Sequence, residues 1–330
     1  MKVLGMGNAL VDIVTELPDY SLLENLGLRK GSMQLVEKEL SSHILGKILP
    51  LKKTEISGGS AANTICGLAA LGIETAFIGK VGKDRLGEIF ENDLIHNGIR
   101  PLLQYSSNET GHALALVTPD SERTFATHLG AAVELEPGDL TSGMFEGYTH
   151  FYIEGYLVQH HELIRRAVEL AQENEMDVIL DLASFNVVED NLDFLHFLVK
   201  EYANVVFANA EEARVFSNGK NPEDALAELA KDCWIAVVKM GKYGSLIQNG
   251  EQIYRISATK ANCIDTTGAG DLYAAGFLYG MLNNLALPVC GEIGSILAGK
   301  VIELIGARIP DENWPKIKEL VKNVIYKQIR

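Results

Sequence analysis

Cysteine, proline and positive charge are all scarce in this 330-residue sequence. Its four cysteines (Cys66, Cys233, Cys263, Cys290) stand far apart, with no CxxC and no clustered histidines. Neither a disulfide scaffold nor a structural zinc site is therefore expected. Lys and Arg number 29 against 44 Asp and Glu, and the net charge of −15 argues against non-specific binding to nucleic acid or anionic lipid. The longest apolar run, residues 272–281, is too short to span a bilayer and is followed by Asn283-Asn284. The first residues run straight into a strand pattern rather than a leader, so a reduced, soluble, cytoplasmic protein is expected. No Pro/Ser-rich linker, low-complexity tract or internal repeat marks a division into separate domains.

What is present is an ordinary globular composition, 47% apolar and 22% charged, sufficient for a large core. Short apolar runs at 2–6, 75–78, 150–153, 178–182, 205–208 and 235–239 read as buried strands. Helical spacing of apolar residues appears between them, at 61–71, 86–97, 163–173, 191–200 and 222–232. This alternation predicts an α/β fold around a mostly parallel sheet. Two stretches break the rhythm with short alternating runs, residues 9–37 and 106–128, the second folded about the turn Pro119-Asp120-Ser121. They read as antiparallel strands of a small β lid, built by two excursions from one domain covering 1–330. Helices are expected at 272–284 and 289–305, then a turn Gly306-Ala307-Arg308 and a last amphipathic helix ending at Arg330.

The strongest local signal is Asp265-Thr266-Thr267-Gly268-Ala269-Gly270-Asp271, which opens an apolar helix. Small residues there let backbone N–H groups converge, and the helix dipole adds positive potential for a transferring phosphoryl group. An aspartate at the mouth of that helix can take a proton from an attacking hydroxyl. The alternative is an ordinary turn with Asp271 as a helix cap. A second signal, Gly58-Gly59-Ser60-Ala61-Ala62-Asn63, opens another helix, where paired glycines suit a hinge and Asn63 could bind diol hydroxyls. Here too the alternative is a plain helix start.

Competing motifs fail. The third glycine of a dinucleotide fingerprint beginning Gly5-x-Gly7 would fall on Leu10, and Val301 replaces the Ser/Thr that a P-loop at Gly294–Lys300 needs. His160-His161 read as surface residues and Trp234 as a core residue.

Taken in order, GGSAAN…G…GKVGKD…G and DTTGAGDLYAAG resemble the two signatures of the ribokinase-like (PfkB) family of carbohydrate and nucleoside kinases. The resemblance implies a three-layer α/β domain with a β lid, and transfer of the γ-phosphoryl group of ATP to a hydroxyl. It makes Asp271 the general base and Gly268, Ala269 and Gly270 the anion hole. Asn8, Asp12, Gly58, Gly59, Asn63 and Arg123 would bind substrate. Asn209-Ala-Glu-Glu212 is similar to the family's NxxE element, with Glu212 handling Mg2+ through water. Lys239, Gly241, Gly244 and Thr266 would contact ATP, and Asp265 with Thr267 and the 306–308 turn could hold a monovalent cation such as K+. Asn209 and Glu212 also fit a helix cap, and Gly241 and Gly244 a hairpin turn.

For the acceptor, Asn8-x-x-x-Asp12, Tyr152-Ile153-x-Gly155-Tyr156 and Asp120-Ser-Glu-Arg123 look more like adenosine kinase than ribokinase, as does the long excursion 20–37. The implied substrate is a nucleoside, with Tyr152, Tyr156 or Phe185 as candidates to stack on its base. A free sugar such as ribose or fructose is the alternative, and a non-catalytic ligand sensor is the reading of another class. A dimer through the exposed lid face is also expected.

Overall fold

The computed structural model describes residues 1–120 and 122–328, so Ser121 of the expected turn and the expected helix end at Arg330 lie outside it. From the amino end the strands are β1 (Lys2–Met6), β2 (Leu10–Glu16), β3 (Met33–Leu35), β4 (Lys53–Gly58), β5 (Glu74–Gly82), β6 (Arg100–Ser106) and β7 (Gly111–Val117). The second half adds β8 (Arg123–His128), β9 (His150–Glu154), β10 (Asp177–Asp181), β11 (Ala203–Asn209), β12 (Ile235–Lys239), β13 (Ser245–Asn249) and β14 (Gln252–Ile256).

Nine strands form a large sheet in the order β14-β13-β12-β11-β10-β9-β1-β5-β6. It is parallel from β12 to β6, and the hairpin β13–β14 closes one edge antiparallel. Parallel strands are covered on both faces, which explains why β9 is buried at every residue. Alternation along each strand feeds two cores: Leu4, Met6, Ile153 and Leu180 face the helices His161–Glu173 and Leu192–Glu201. On the other face Val3, Phe77, Ile179 and Phe207 meet Ser60–Leu71, Ala269–Leu282 and Leu287–Val301. Tyr152 belongs to this second core and is fully buried, so it is no stacking residue. Trp234, expected inside, is 64% exposed because it stands just before the start of β12, outside the covered part of the strand. The P-loop lookalike lies within the helix Leu287–Val301.

The second sheet, β3-β8-β7-β2-β4, departs from expectation in three ways. A third segment, β4, joins the two excursions, and helices Ser21–Leu26 and Lys38–Lys47 interrupt the first stretch and its continuation. The sheet is also mixed: β2–β4 and β7–β8 are antiparallel, whereas β2–β7 and β3–β8 are parallel. β2 and β7 run parallel because each leaves the large sheet in the same direction. One face packs Ile13, Leu114, Leu116 and Ala126 against Ile44 and Ile48 of the chain's own helical segment. That face is therefore covered by the chain itself, and the other face of the sheet turns to the cleft.

Candidate active site

The carboxyl ends of parallel strands converge on one region, the usual place for ligands in an open α/β sheet. Asn8 follows β1, while Glu154, Asp181, Asn209 and Lys239 end β9, β10, β11 and β12. All five line a cleft of about 1380 Å³ between the two sheets.

At its centre stands Asp271, in the first turn of Ala269–Leu282. Its Oδ1 accepts from Ser60 Oγ at 2.7 Å and its Oδ2 from Asn63 Nδ2 at 2.8 Å, so the two glycine-rich segments meet at one carboxylate. Burial pushes Asp271 up to about 6, against the pull of the Asn63 and Ser60 hydrogen bonds. The carboxylate is thus not committed to capping its own helix. Gly268 precedes it with φ 74°, a left-handed value, and a Cβ there would lie 2.7 Å from Ala307 Cα. Only glycine lets the chain enter the helix so close to the 306–308 turn. Gly268, Ala269, Gly270 and Thr266 all line the cleft.

The acceptor end is built around Asp12 and Asn63. Gly58 lets β4 pass β2 closely, since a Cβ on it would stand 2.5 Å from Asp12 Oδ1. Burial raises Asp12 to about 6, although Arg308 and Arg123 pull it down. Asn63 is 5% exposed, and its Oδ1 is a buried acceptor with no partner among the described residues. Gly59 lines the cleft at the start of helix Ser60–Leu71, whereas Gly58, Arg123 and Asp265 do not reach the lining. Arg123 Nη1 pairs with Asp265 Oδ2 at 2.8 Å, and its Nη2 is a buried donor with no partner among the described residues.

At the other end Asn209 and Glu212 form a reciprocal capping box, as the alternative reading held, and Glu212 also lines the cleft. Burial raises its carboxyl, with Asp181 adding repulsion. Lys239 Nζ lies 2.7 Å from Asp181 Oδ2 and would stand 3.3 Å from a Cβ on Gly270. Burial opposes its charge, but Asp181 and Glu212 outweigh that and raise the ammonium. Gly241 and Gly244 flank the short turn before β13 and also line the cleft. Among the described residues no three His, Cys, Asp or Glu side chains are grouped as direct metal ligands.

Two carboxylates escaped the sequence reading. Glu154 accepts from Asn8 N, Asn8 Nδ2 and Ala61 N, each at 2.8 Å, and so ties together both neighbouring connections to the smaller sheet. Burial lifts it to about 7 against those hydrogen bonds. The available signal was an acidic residue closing a buried apolar run, which Glu154 and Asp181 share. Of the proposed stacking residues, Tyr156 lines the cleft, while Phe185 is exposed outside it.

Known proteins place this geometry. An adenosine kinase from Sinorhizobium meliloti has a similar structure, with TM-score 0.87 and 34% identity over 97% of this chain and 99% of that one. The adenosine kinase of Saccharomyces cerevisiae is 27% identical over 93% of this chain and 96% of its own length. A 5-dehydro-2-deoxygluconokinase from Geobacillus kaustophilus is 29% identical over 76% of this chain and 79% of its own. The sequence model of the pfkB family carbohydrate kinases matches residues 46–314, from the smaller sheet through Asp271 to the last turn. With that match spanning both glycine-rich segments, the chain belongs to the PfkB family and is a sugar or nucleoside kinase, a phosphotransferase acting on hydroxyl groups.

Proposed function

We propose that the acceptor is a nucleoside of the adenosine type, phosphorylated on a ribose hydroxyl by ATP with Asp271 as general base. The observation that carries this reading is the wall beside Asp12 and Asn63. Leu10, Ala113, Phe125, Leu129, Val133 and Leu157 present an apolar surface to the cleft. A free sugar carries hydroxyls on every side and would strand them there, whereas a purine buries its faces favourably. Phe125, and not Phe185 or Tyr152, is the aromatic residue of the smaller sheet placed to stack.

The unpartnered groups suit the same substrate. Asn63 Oδ1 can accept from a ribose hydroxyl, while Arg123 stands behind the cleft wall on Asp265 and would reach a phosphoryl oxygen only through movement of the smaller sheet. Asp12 accepts the second diol hydroxyl, with Asn8 held beside it by Glu154. Asp271 takes the proton of the attacking hydroxyl while backbone N–H groups at 268–270 stabilise the transferring group. Lys239 adds a fixed positive charge beside Gly270. Kinases of this family use ATP with Mg2+, which neutralises the phosphates. Asn209, Glu212 and Asp181 would hold that ion through water, since a buried cap and an ion-paired carboxylate leave little room for direct ligation. The smaller sheet acts as a lid that closes over both substrates.

The test is ADP release from Mg-ATP over adenosine, other nucleosides, ribose, fructose and 5-dehydro-2-deoxygluconate. Adenosine as the best acceptor supports the reading. Preference for a free sugar or keto acid overturns it, and no ADP release with any acceptor in the panel would favour a sensor.

A further inference from the structure

The sequence suggested that Asp265 could help hold a monovalent cation, but the oxygens that would bind one are already occupied. Asp265 Oδ1 accepts from Thr267 N at 3.1 Å and Thr267 Oγ1 at 2.7 Å. Its Oδ2 accepts from Gly306 N at 2.6 Å and is ion-paired with Arg123 Nη1 at 2.8 Å. The carbonyl of Ile302, at the end of the neighbouring helix, accepts from Ile264 N at 2.7 Å and Asp265 N at 3.2 Å. An alkali cation needs several oxygen lone pairs free at once, and here both carboxylate oxygens and the carbonyl point at donors. The donor set therefore does not fit a cation while Arg123 is in place.

What lies against Asp265 instead is a guanidinium. The two side chains are 9% and 8% exposed, so the pair is almost wholly withdrawn from water. Such a pair holds when both charges remain, and removing one leaves the other buried and unmatched. The charges of Asp265, Asp271, Arg123 and Arg308 are all felt at Asp12. Lys239 offsets Asp271 and Arg308 is shared with Asp93, so removing Arg123 would leave Asp265 without its paired guanidinium.

The position of Arg123 gives the pair a further meaning. Arg123 opens β8 of the smaller sheet, whereas Asp265 immediately precedes the anion hole on the larger body. The same carboxylate is bonded to Gly306, whose neighbour Ala307 packs on Gly268. A charge delivered to Asp265 is therefore delivered two contacts from the backbone that would stabilise the phosphoryl group.

We propose that Arg123 is the resident cation of this site: it occupies at Asp265 the place of a monovalent ion, so that the enzyme needs no potassium. Arg123 is then a positioning residue for the backbone at 268–270, through Asp265 and the 306–308 turn; that this backbone receives a phosphoryl group rests on the kinase reading, and the occupation of the cation place does not.

The test is thermal unfolding of the apoprotein in potassium chloride and in tetramethylammonium chloride at equal ionic strength, with initial rates of ADP release in both salts. For the unaltered protein we expect the two melting temperatures to coincide and the two rates to agree within about twofold, because no ion-specific site contributes linkage. Arg123→Ala, which leaves Asp265 uncompensated and opens room beside it, should gain a potassium-specific rise of about 2–4 °C through the same linkage. Arg123→Met, which preserves the packing of the stem, gives the same comparison should the alanine variant not fold. A potassium-specific shift or activation of about tenfold or more in the unaltered protein would overturn the proposal. So would variants that fold yet show no potassium-specific shift. The melting comparison uses no substrate, so a failure of the nucleoside assignment leaves it intact and separately readable.

Discussion

In the nine-stranded sheet the inner strands are parallel and both faces are packed by helices, whereas the five-stranded sheet covers one face with its own helical segment and turns the other to the cleft. The difference separates two tasks. The large sheet fixes Glu154, Asp181, Asn209 and Lys239 on strand ends whose positions are set by buried neighbours on both sides. The small sheet carries Asp12 and Phe125 on a face that is completed only by what enters the cleft. Rigid placement of charge belongs to the first, and adjustable enclosure of the acceptor to the second. Arg123–Asp265 and Glu154 are the points at which one is referred to the other.

The comparison breaks most sharply at Asp271, which both glycine-rich segments address. Asp271→Asn should lower kcat by about 10³-fold or more while leaving acceptor binding within a few-fold, because only the base is removed. Calorimetric binding beside steady-state rates checks this, and retained turnover would remove Asp271 from its role. Its pKa of about 6 sets the pH behaviour. As a base it must be ionised, so kcat should fall as the pH drops through 6. The stability effect has the opposite sign: a carboxyl raised on folding favours the folded state at low pH and loses that contribution as pH rises. The Asn variant should therefore gain melting temperature over the unaltered protein at pH 8 more than at pH 5.

Next comes the joint between the sheets. Glu154→Gln places an amide N–H against existing donors, a defect of about 1–3 kcal/mol, and should lower the melting temperature with a higher acceptor KM. With Glu154 raised to about 7 on folding, its protonation as the pH falls below that value stabilises the unaltered protein alone. The gap between the two proteins should accordingly widen below pH 7, and a gap independent of pH would contradict this account. Phe125→Ala should act on the small sheet alone, raising KM for a nucleoside about tenfold through lost apolar burial and stacking. Parallel measurements with ribose should show little change. The smallest effect is expected at Trp234, where replacement by Ala should alter stability by no more than about 0.5 kcal/mol by denaturant titration, because the ring is largely in solvent.

The six inner strands of the large sheet were legible, because they are short apolar runs punctuated by amphipathic helices and each is buried whichever neighbour it pairs with. β6 and the hairpin β13–β14 at the two edges were not among the expected strands, since their runs are partly exposed and carry no clear apolar pattern. The small sheet was legible only in outline. β4 reads KTEISG, half polar, and declares itself a strand only beside β2. The parallel pairing of β2 with β7 depends on how both leave the larger sheet, which no local pattern encodes. Trp234 was misplaced for a related reason, since hydrophobicity says nothing of where along the chain a buried strand begins.

By itself the sequence determined the α/β class, the two glycine-rich helix starts and the residue types offered there, because backbone freedom, helix dipoles and periodicity are local properties. Only the tertiary structure decided that Ser60 and Asn63 would both bond Asp271, that Glu154 would gather Asn8 and Ala61, and that Arg123 would lie on Asp265. Each of those is a contact between segments far apart in the chain, made when two sheets pack over a common cleft. Charge pairing of that kind follows from distance in space, and the order of residues along the chain does not contain it.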